Sequence, residues 1–477
     1  MKTNAEKLPS PWVSAIPLAV LTGLLYVVIR AFGGEAINGG SQIALLSATS
    51  VCVMLSIGIY RCRWAVLEEA IIDNIRASAS AIVILLLIGA IAGTWMISGV
   101  VPTMIYYGLQ ILHPSFFLVA SCAICAVVSL MTGSSWTTIA TIGVALMGIG
   151  QAMGFSEGWV AGAIISGAYF GDKLSLLSDT TVLASSTAGV EVFTHIRYML
   201  YTTVPSMLIA LGVFTVAGLA LDHGVSTHAE MYAATLAVTF RITPWLLAVP
   251  LATGMLIARK LPAIVTLFSS VVFACAAMLL AQPELVARVA GVAELDFMSG
   301  FKVVLMTCFG PTAIPTGAPQ LDELVATRGM AGMLNTVWLI ICAMCFGGVM
   351  TGSGMLRSLT SIFLRWVRRA FSAVASTVGA GLFFNLCTAD QYIILSGRLF
   401  RDLYADRGLE PRLLSRSVED SATVCSVLIP WNSCGMTQAT VLGVSTFVYA
   451  PYCIFNIVSP LMSLLVAAVG WNIKRKK

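Results

Sequence analysis

Charge is what this chain of 477 residues has little of. Only 10% of its residues are Asp, Glu, Lys or Arg, against 58% apolar residues and a mean hydropathy of +0.91. A soluble surface needs about a quarter of the residues charged, so a water-soluble globular protein is excluded. No charged residue lies between Arg76 and Glu157, and none from Ser421 to Ile473. Each run exceeds the ~20 apolar residues of one spanning helix, so each must hold several membrane segments. Nucleic-acid binding is excluded too: the net charge of +5 is spread in short basic clusters, with no RNP, zinc-finger or helix-turn-helix pattern. No Walker motif is present, which removes ATP-driven transport, and no cofactor is expected. The twelve cysteines are scattered through apolar segments such as Ser121 to Cys125 and read as reduced packing residues. Lys2 and Lys7 precede a long apolar stretch without an A-x-A cleavage pattern, which predicts a first spanning helix and not a removed leader.

What is present is a series of apolar segments. The clearest spans are 11–29, 40–60, 78–97, 199–221, 243–258, 261–282, 332–352 and 452–471, with two polar-interrupted crossings near 159–189 and 415–446. The apolar stretches 114–150 and 370–397 are broken at mid-length by Thr-Gly-Ser-Ser (132–135) and Cys-Thr-Ala-Asp (387–390). Both are predicted to be re-entrant hairpins, because non-helical backbone at membrane depth survives only inside protein or beside water. The expected fold is an all-α polytopic membrane protein of about ten spanning helices plus two hairpins. Basic residues cluster at Lys2 and Lys7, Arg61 to Arg76, Arg197, Arg259 and Lys260, Arg365 to Arg369, Arg398 to Arg416, and Lys474 to Lys477. On that count all of them face one side, so both termini are predicted to be cytoplasmic.

Displaced by 255 residues, the chain matches itself at punctuating positions. Glu68 meets Glu323, Ser98-Gly99 meets Ser353-Gly354, Ser178 meets Ser433 and Pro205 meets Pro460. The mid-membrane breaks superpose as well. The loop charges start one copy in the cytoplasm and the other outside, which makes an inverted repeat, the architecture of secondary transporters with a site near the midplane. The predicted organisation is N-terminal helices over 1–66, a first repeat core over 67–210, connecting helices and an external loop over 211–321, and a second repeat core with a basic tail over 322–477.

The segment Gly162 to Ser186 places Asp172, Lys173 and Asp179 among Ser178, Thr180 and Thr181 in an otherwise apolar crossing. Ionisable groups there cost several kcal/mol unless paired or hydrated, so a functional role is the default reading. Carboxylate, hydroxyl and freed carbonyl oxygens are the ligands a small hard cation needs. A carboxylate that can take either a proton or Na+ suffices for antiport. Asp179 is the first choice of exchange group, with Asp172 and Asp390; Lys173 is the charge partner, or one half of an internal lock. Asp390 is the only charge between Arg369 and Arg398 and sits at a hairpin tip, where it either binds a cation or caps the returning helix. Ser134, Ser135, Thr388, Asn432 and Ser433 are further candidate ligands, and a Na+ ion is expected at Asp179, Ser178, Thr180 and Asp390. Glu419 and Asp420 read equally well as a solvated helix start beside Arg412 and Arg416. The four histidines read as solvated interface residues.

The motifs TGSSWTT (132–138), SGAYFGDKLSLLSDTT (166–181), HIRYMLYTTVP (195–205), TADQYI (388–393), GRLFRDLY (397–404) and EDSATV…LIPWNSCG (419–435) stand in this order. In them the chain resembles NhaC-type Na+/H+ antiporters of the ion transporter superfamily. The resemblance covers about residues 60 to 470 and implies a Na+/H+ exchanger in a bacterial inner membrane. It assigns site roles to Asp172, Lys173, Asp179, Thr180 and Thr181, and to Thr388, Asp390, Gln391 and Tyr392. Leu176 and Val182 depart from the family's usual Pro and Asn beside that site. The expected partners are Na+ or Li+, protons and the lipid bilayer; self-association stays open. The alternative reading is an organic-acid exchanger of the malate/lactate type, with Lys173 or Arg398 as its fixed cation. An intramembrane enzyme built on Asp172 and Asp179 is disfavoured, since AYFGD lacks the first Gly of a GxGD motif.

Overall fold

The computed structural model describes residues 8–33, 36, 38–221, 227–259, 261–316, 322, 325–365, 367, 369–386 and 400–473. Among them the chain is all-α, with a single isolated bridge between Thr312 and Thr327. Among the described residues seven helices are long and apolar enough to cross a membrane, and nine if each of two bent pairs counts as one span. Two long helices, α1 (Pro11–Phe32) and α2 (Gly40–Gly58), open the chain. The first repeat follows as α3 (Trp64–Ile97), α4 (Val100–Ile111), α5 (Pro114–Thr132), the short α6 (Ser135–Thr138) running through a π turn into α7 (Val144–Ala152), α8 (Glu157–Leu174), α9 (Asp179–Ala188) and α10 (Val192–Ala220). A connecting group holds α11 (Thr227–Thr239), α12 (Ala248–Ala258), α13 (Ala263–Ala281), α14 (Pro283–Ala290) and α15 (Phe297–Phe309). The second repeat comprises α16 (Leu334–Gly352), α17 (Met355–Arg365), α18 (Ala370–Asn385), α19 (Pro411–Val418), α20 (Ser433–Leu442), α21 (Thr446–Tyr449) and α22 (Ile454–Val469).

Element boundaries repeat to within two residues at the offset of 255 that the sequence suggested. Val100–Ile111 recurs as Met355–Arg365, Pro114–Thr132 as Ala370–Asn385, and the break before Asp179 as the break before Ser433. The matched Ser-Gly pairs have a physical cause. Gly99 and Gly354 both close a long helix with φ of +81° and +75°, a left-handed conformation that favours glycine. A helix also packs on its own counterpart twice, α3 on α16 and α10 on α22, as expected of elements near a pseudo-two-fold axis.

Lipid supplies no hydrophobic drive between helices, so close packing relies on small residues. A Cβ on Gly167 would lie 2.0 Å from the Cys122 carbonyl oxygen, and one on Gly171 2.3 Å from that of Ala126. Those two glycines let α8 lie directly against α5, where the Ser129 hydroxyl donates to the Ala168 carbonyl at 2.5 Å. The break expected at 132–135 falls at Gly133 and Ser134. Its first arm, Pro114–Thr132, is long enough to cross alone, longer than the half-membrane arm expected of a re-entrant hairpin. The tip of the second hairpin, Cys387 to Asp390, lies outside the described residues. The span expected at 243–258 follows a 94° bend after α11.

Candidate functional site

Both polar-interrupted crossings break where hydroxyl and amide side chains replace the helix's own hydrogen bonds. In the first, α8 ends at Leu174 and Ser178 caps α9, accepting from the Thr181 N–H at 3.4 Å. The Thr181 hydroxyl turns back to donate to the Lys173 carbonyl at 3.1 Å, satisfying an acceptor that the break frees. In the second, α19 passes into a π turn over Glu419–Thr423 and a 3₁₀ turn over Ser426–Leu428. Pro430 follows, and Asn432 caps α20 by accepting from the Cys434 N–H at 3.1 Å. Asparagines from neighbouring helices meet the loosened carbonyls: Asn385 Nδ2 donates to Ala422 at 2.9 Å and Asn456 Nδ2 to Val424 at 2.8 Å.

The two crossings meet through charge. Lys173, at the end of α8, is fully buried and pairs with Asp420 Oδ1 from the π turn of the other repeat. The Thr202 hydroxyl donates to the same oxygen at 3.1 Å, and Ser459 joins both partners, 3.1 Å from the Lys173 ammonium and 3.4 Å from Asp420. Glu419 is also fully buried; it accepts from the Thr180 hydroxyl at 3.2 Å through Oε1, while Oε2 has no partner among the described residues. Asp172 accepts through Oδ2 from the backbone N–H and the hydroxyl of Ser135, at 3.1 and 2.7 Å. The tip after α5 therefore docks on the first broken crossing. One turn before Asp420, Arg416 is fully buried with Nε 3.9 Å from Asp420 Oδ2, and its guanidinium lies 4.6 Å over the Tyr198 ring.

Among the described residues this layer holds three carboxylates, the half-buried Asp172 and the fully buried Glu419 and Asp420, and two buried cations, Lys173 and Arg416. With all five ionised it carries one uncompensated negative charge. Asp420 lies between both cations, whereas among the described residues Asp172 and Glu419 are hydrogen-bonded by hydroxyl and N–H donors and form no ion pair. A buried charge in that situation needs a counter-cation or a proton. Among the described residues no group of three or more His, Cys, Asp or Glu is poised around a metal position, so a small cation here would rely on hydroxyl and carbonyl oxygens beside one or two carboxylates.

Of the residues expected from sequence, Asp172, Lys173, Ser135, Ser178, Thr180 and Thr181 are brought together. Asp179 lies on the first turn of α9 with its side chain exposed. Ser134 caps α6, accepting from the Thr137 N–H and hydroxyl at 3.2 and 3.1 Å. Asn432 also donates to the Asn385 carbonyl at 3.2 Å, with the Ser433 hydroxyl 3.4 Å from its Oδ1. Thr388 and Asp390 lie outside the described residues, as do Gln391, Tyr392 and Arg398. Two readings are corrected. Glu419 and Asp420 are not a solvated helix start: helix packing closes water away from both. His195 is likewise no solvated residue, since it is fully buried with Nδ1 2.8 Å from the Ser415 hydroxyl. A signal for the first existed: Arg412, Arg416, Glu419, Asp420 and Thr423 fall at i, i+4, i+7, i+8 and i+11, one polar stripe along a helix.

Known proteins resemble the chain over most of its length. The Na+/H+ antiporter family profile matches residues 167–471. The Na+/H+ antiporter NhaC of Alkalihalophilus pseudofirmus is 34% identical, over 90% of this chain and 90% of its own length. The malate-2H+/Na+-lactate antiporter of Bacillus subtilis is 35% identical over 90% of this chain and 89% of its own. The arginine/ornithine antiporter ArcD of Halobacterium salinarum is 31% identical over 99% and 95%.

Proposed function

Since the chain belongs to the Na+/H+ antiporter family, we propose that it is a secondary transporter exchanging Na+ for H+ across a bacterial inner membrane by alternating access. One observation carries the site: two broken helices at equivalent places in the two repeats join in a buried layer with one negative charge to spare. Asp172 and Glu419, which form no ion pair among the described residues, are the exchange carboxylates, each able to hold a proton or help to hold Na+ in turn. Ser135 and Thr180, already bonded to them, and Ser178, whose hydroxyl lies 3.0 Å from that of Thr180, supply neutral oxygens. Lys173 and Asp420 tie one repeat to the other across the site.

Protons and Na+ competing for one site give a specific kinetic signature. In liposomes with a trapped pH dye, the Na+ half-saturation constant should rise about tenfold per pH unit on the acid side of the exchange group's titration, with the maximal rate at saturating Na+ unchanged. A half-saturation constant independent of pH, with only the maximal rate changing, would overturn single-site competition. The same liposomes challenged with malate and lactate test the organic-acid alternative, which the Bacillus subtilis relative keeps in view. Of its two candidate cations, Lys173 is engaged by Asp420.

Lys2 and Lys7 at one end and Lys474 to Lys477 at the other place both termini in the cytoplasm under this reading. A carboxy-terminal alkaline-phosphatase fusion should therefore be inactive. An active fusion would reverse the end of the second repeat relative to the first.

A further inference from the structure

Alternating access requires the two repeats to move against each other, yet a buried ion pair, Lys173 with Asp420, ties them together. Opening such a tie strands a carboxylate away from water, a costly outcome unless a second cation waits nearby. The structure holds that cation. Arg416 is fully buried, and none of its guanidinium nitrogens has a hydrogen-bond partner among the described residues. Asp420 Oδ2 also has none, and it faces Arg416 Nε at 3.9 Å, just beyond bonding distance. The guanidinium is not loose: it is stacked on Tyr198, whose ring Arg412 also covers at 4.7 Å. Asp420 thus has one oxygen committed to the other repeat and one turned, unbonded, toward a cation on its own helix.

We propose that Arg416 is the substitute partner of Asp420, a positioning residue that lets the inter-repeat tie open without stranding the buried Asp420 carboxylate. Arrival of Na+ or a proton at Asp172 and Glu419 adds positive charge beside Lys173 and weakens its hold on Asp420. A small rotation of the Asp420 carboxylate then exchanges the bond across the repeats for one within a single helix, from Asp420 to Arg416 at i−4. The reverse exchange re-forms the tie after the layer is unloaded. No covalent bond is made or broken, and the exchange of partners itself leaves the charges on Lys173, Asp420 and Arg416 unchanged. This inference rests on the antiport reading for what loads the layer, but the exchange of partners itself does not.

Melting temperatures test it without any ion flux, so a chain that moved another solute would leave the outcome standing. In purified protein at saturating NaCl, Lys173→Gln and Arg416→Gln alone should each melt within about 5 °C of wild type, because Asp420 keeps one cation in either case. The double variant strands it and should melt at least about 15 °C lower, well beyond the sum of the singles. Adding Asp420→Asn to the double variant should recover most of that loss. If Lys173→Gln alone falls as far as the double variant, or fails to fold, Arg416 cannot take over and the proposal is overturned; an additive double variant overturns it equally. A kinetic arm separates positioning from static packing. Arg416→Gln should lower the maximal exchange rate at least tenfold while shifting the Na+ half-saturation constant less than threefold. Wild-type turnover, or a loss of Na+ binding that matches the loss of rate, would place Arg416 outside this role.

Discussion

Asp172→Asn should abolish coupled exchange, lowering Na+-driven proton flux at least about 100-fold while leaving the fold intact. The asparagine keeps an acceptor oxygen for the Ser135 N–H and hydroxyl, so the tip after α5 can stay docked. It carries no charge and takes no proton, so the layer loses the group that alternates between H+ and Na+. The comparison variant is Asp179→Asn, whose side chain is exposed on the first turn of α9 and which should retain more than half of the wild-type flux at saturating Na+. Both variants, purified and reconstituted with a trapped pH dye, decide between two carboxylates seven residues apart. Loss of flux in Asp179→Asn with normal flux in Asp172→Asn would move the exchange group to the mouth of the half-helix, the place the sequence alone favoured.

The second large effect is on stability. Asp420→Asn removes the carboxylate that pairs with both buried cations, Lys173 and Arg416. Removing one partner of a buried pair typically costs about 3–5 kcal/mol, and here two cations lose it at once. The variant should be recovered poorly from membranes, with a melting transition lowered by about 10 °C or more in detergent. The pairing is independent of bulk salt because both cations are fully buried, so high ionic strength should not rescue it. A variant that melts like wild type but no longer exchanges would instead make Asp420 an exchange carboxylate, and Asp172 and Glu419 its supports.

Much of the architecture was legible because hydropathy and punctuation are local properties of the chain. The span expected at 11–29 is α1, 40–60 is α2, and 332–352 falls within the helical run Met330–Gly352. Both interrupted crossings break at the Ser- and Asn-bearing segments that lack helical continuity. The 255-residue repeat was legible at Ser98-Gly99 and Ser353-Gly354 because a left-handed helix end leaves few residues to choose from. Short helices such as α4 and α15 passed unnoticed, since segments of 12 and 13 residues between longer runs give no hydropathy signature of their own.

The site divided along the same line. Asp172, Lys173 and the hydroxyls from Ser178 to Thr181 stood out as polar groups within an apolar crossing, and that conspicuousness is a fact of sequence. Asp179 stood out equally, yet its direction depends on where the first turn of α9 points. Glu419 and Asp420 stood beside Arg412 and Arg416, and charge adjacent to charge reads as solvent until packing shows otherwise.

By itself, then, the sequence determined that the chain lives in a bilayer, that it is built from two related halves, and that each half has a crossing broken by polar residues. It could do so because burial in lipid constrains composition residue by residue, and capping constrains side-chain chemistry within a turn. Only the tertiary structure decided which charges face each other. Lys173 and Asp420 are 247 residues apart in the chain, and no local pattern relates two such positions. Their pairing and the placing of Arg416 behind it both follow from how the two halves close on one another, since electrostatic energy in a dry interior is set by distances of a few ångströms in space.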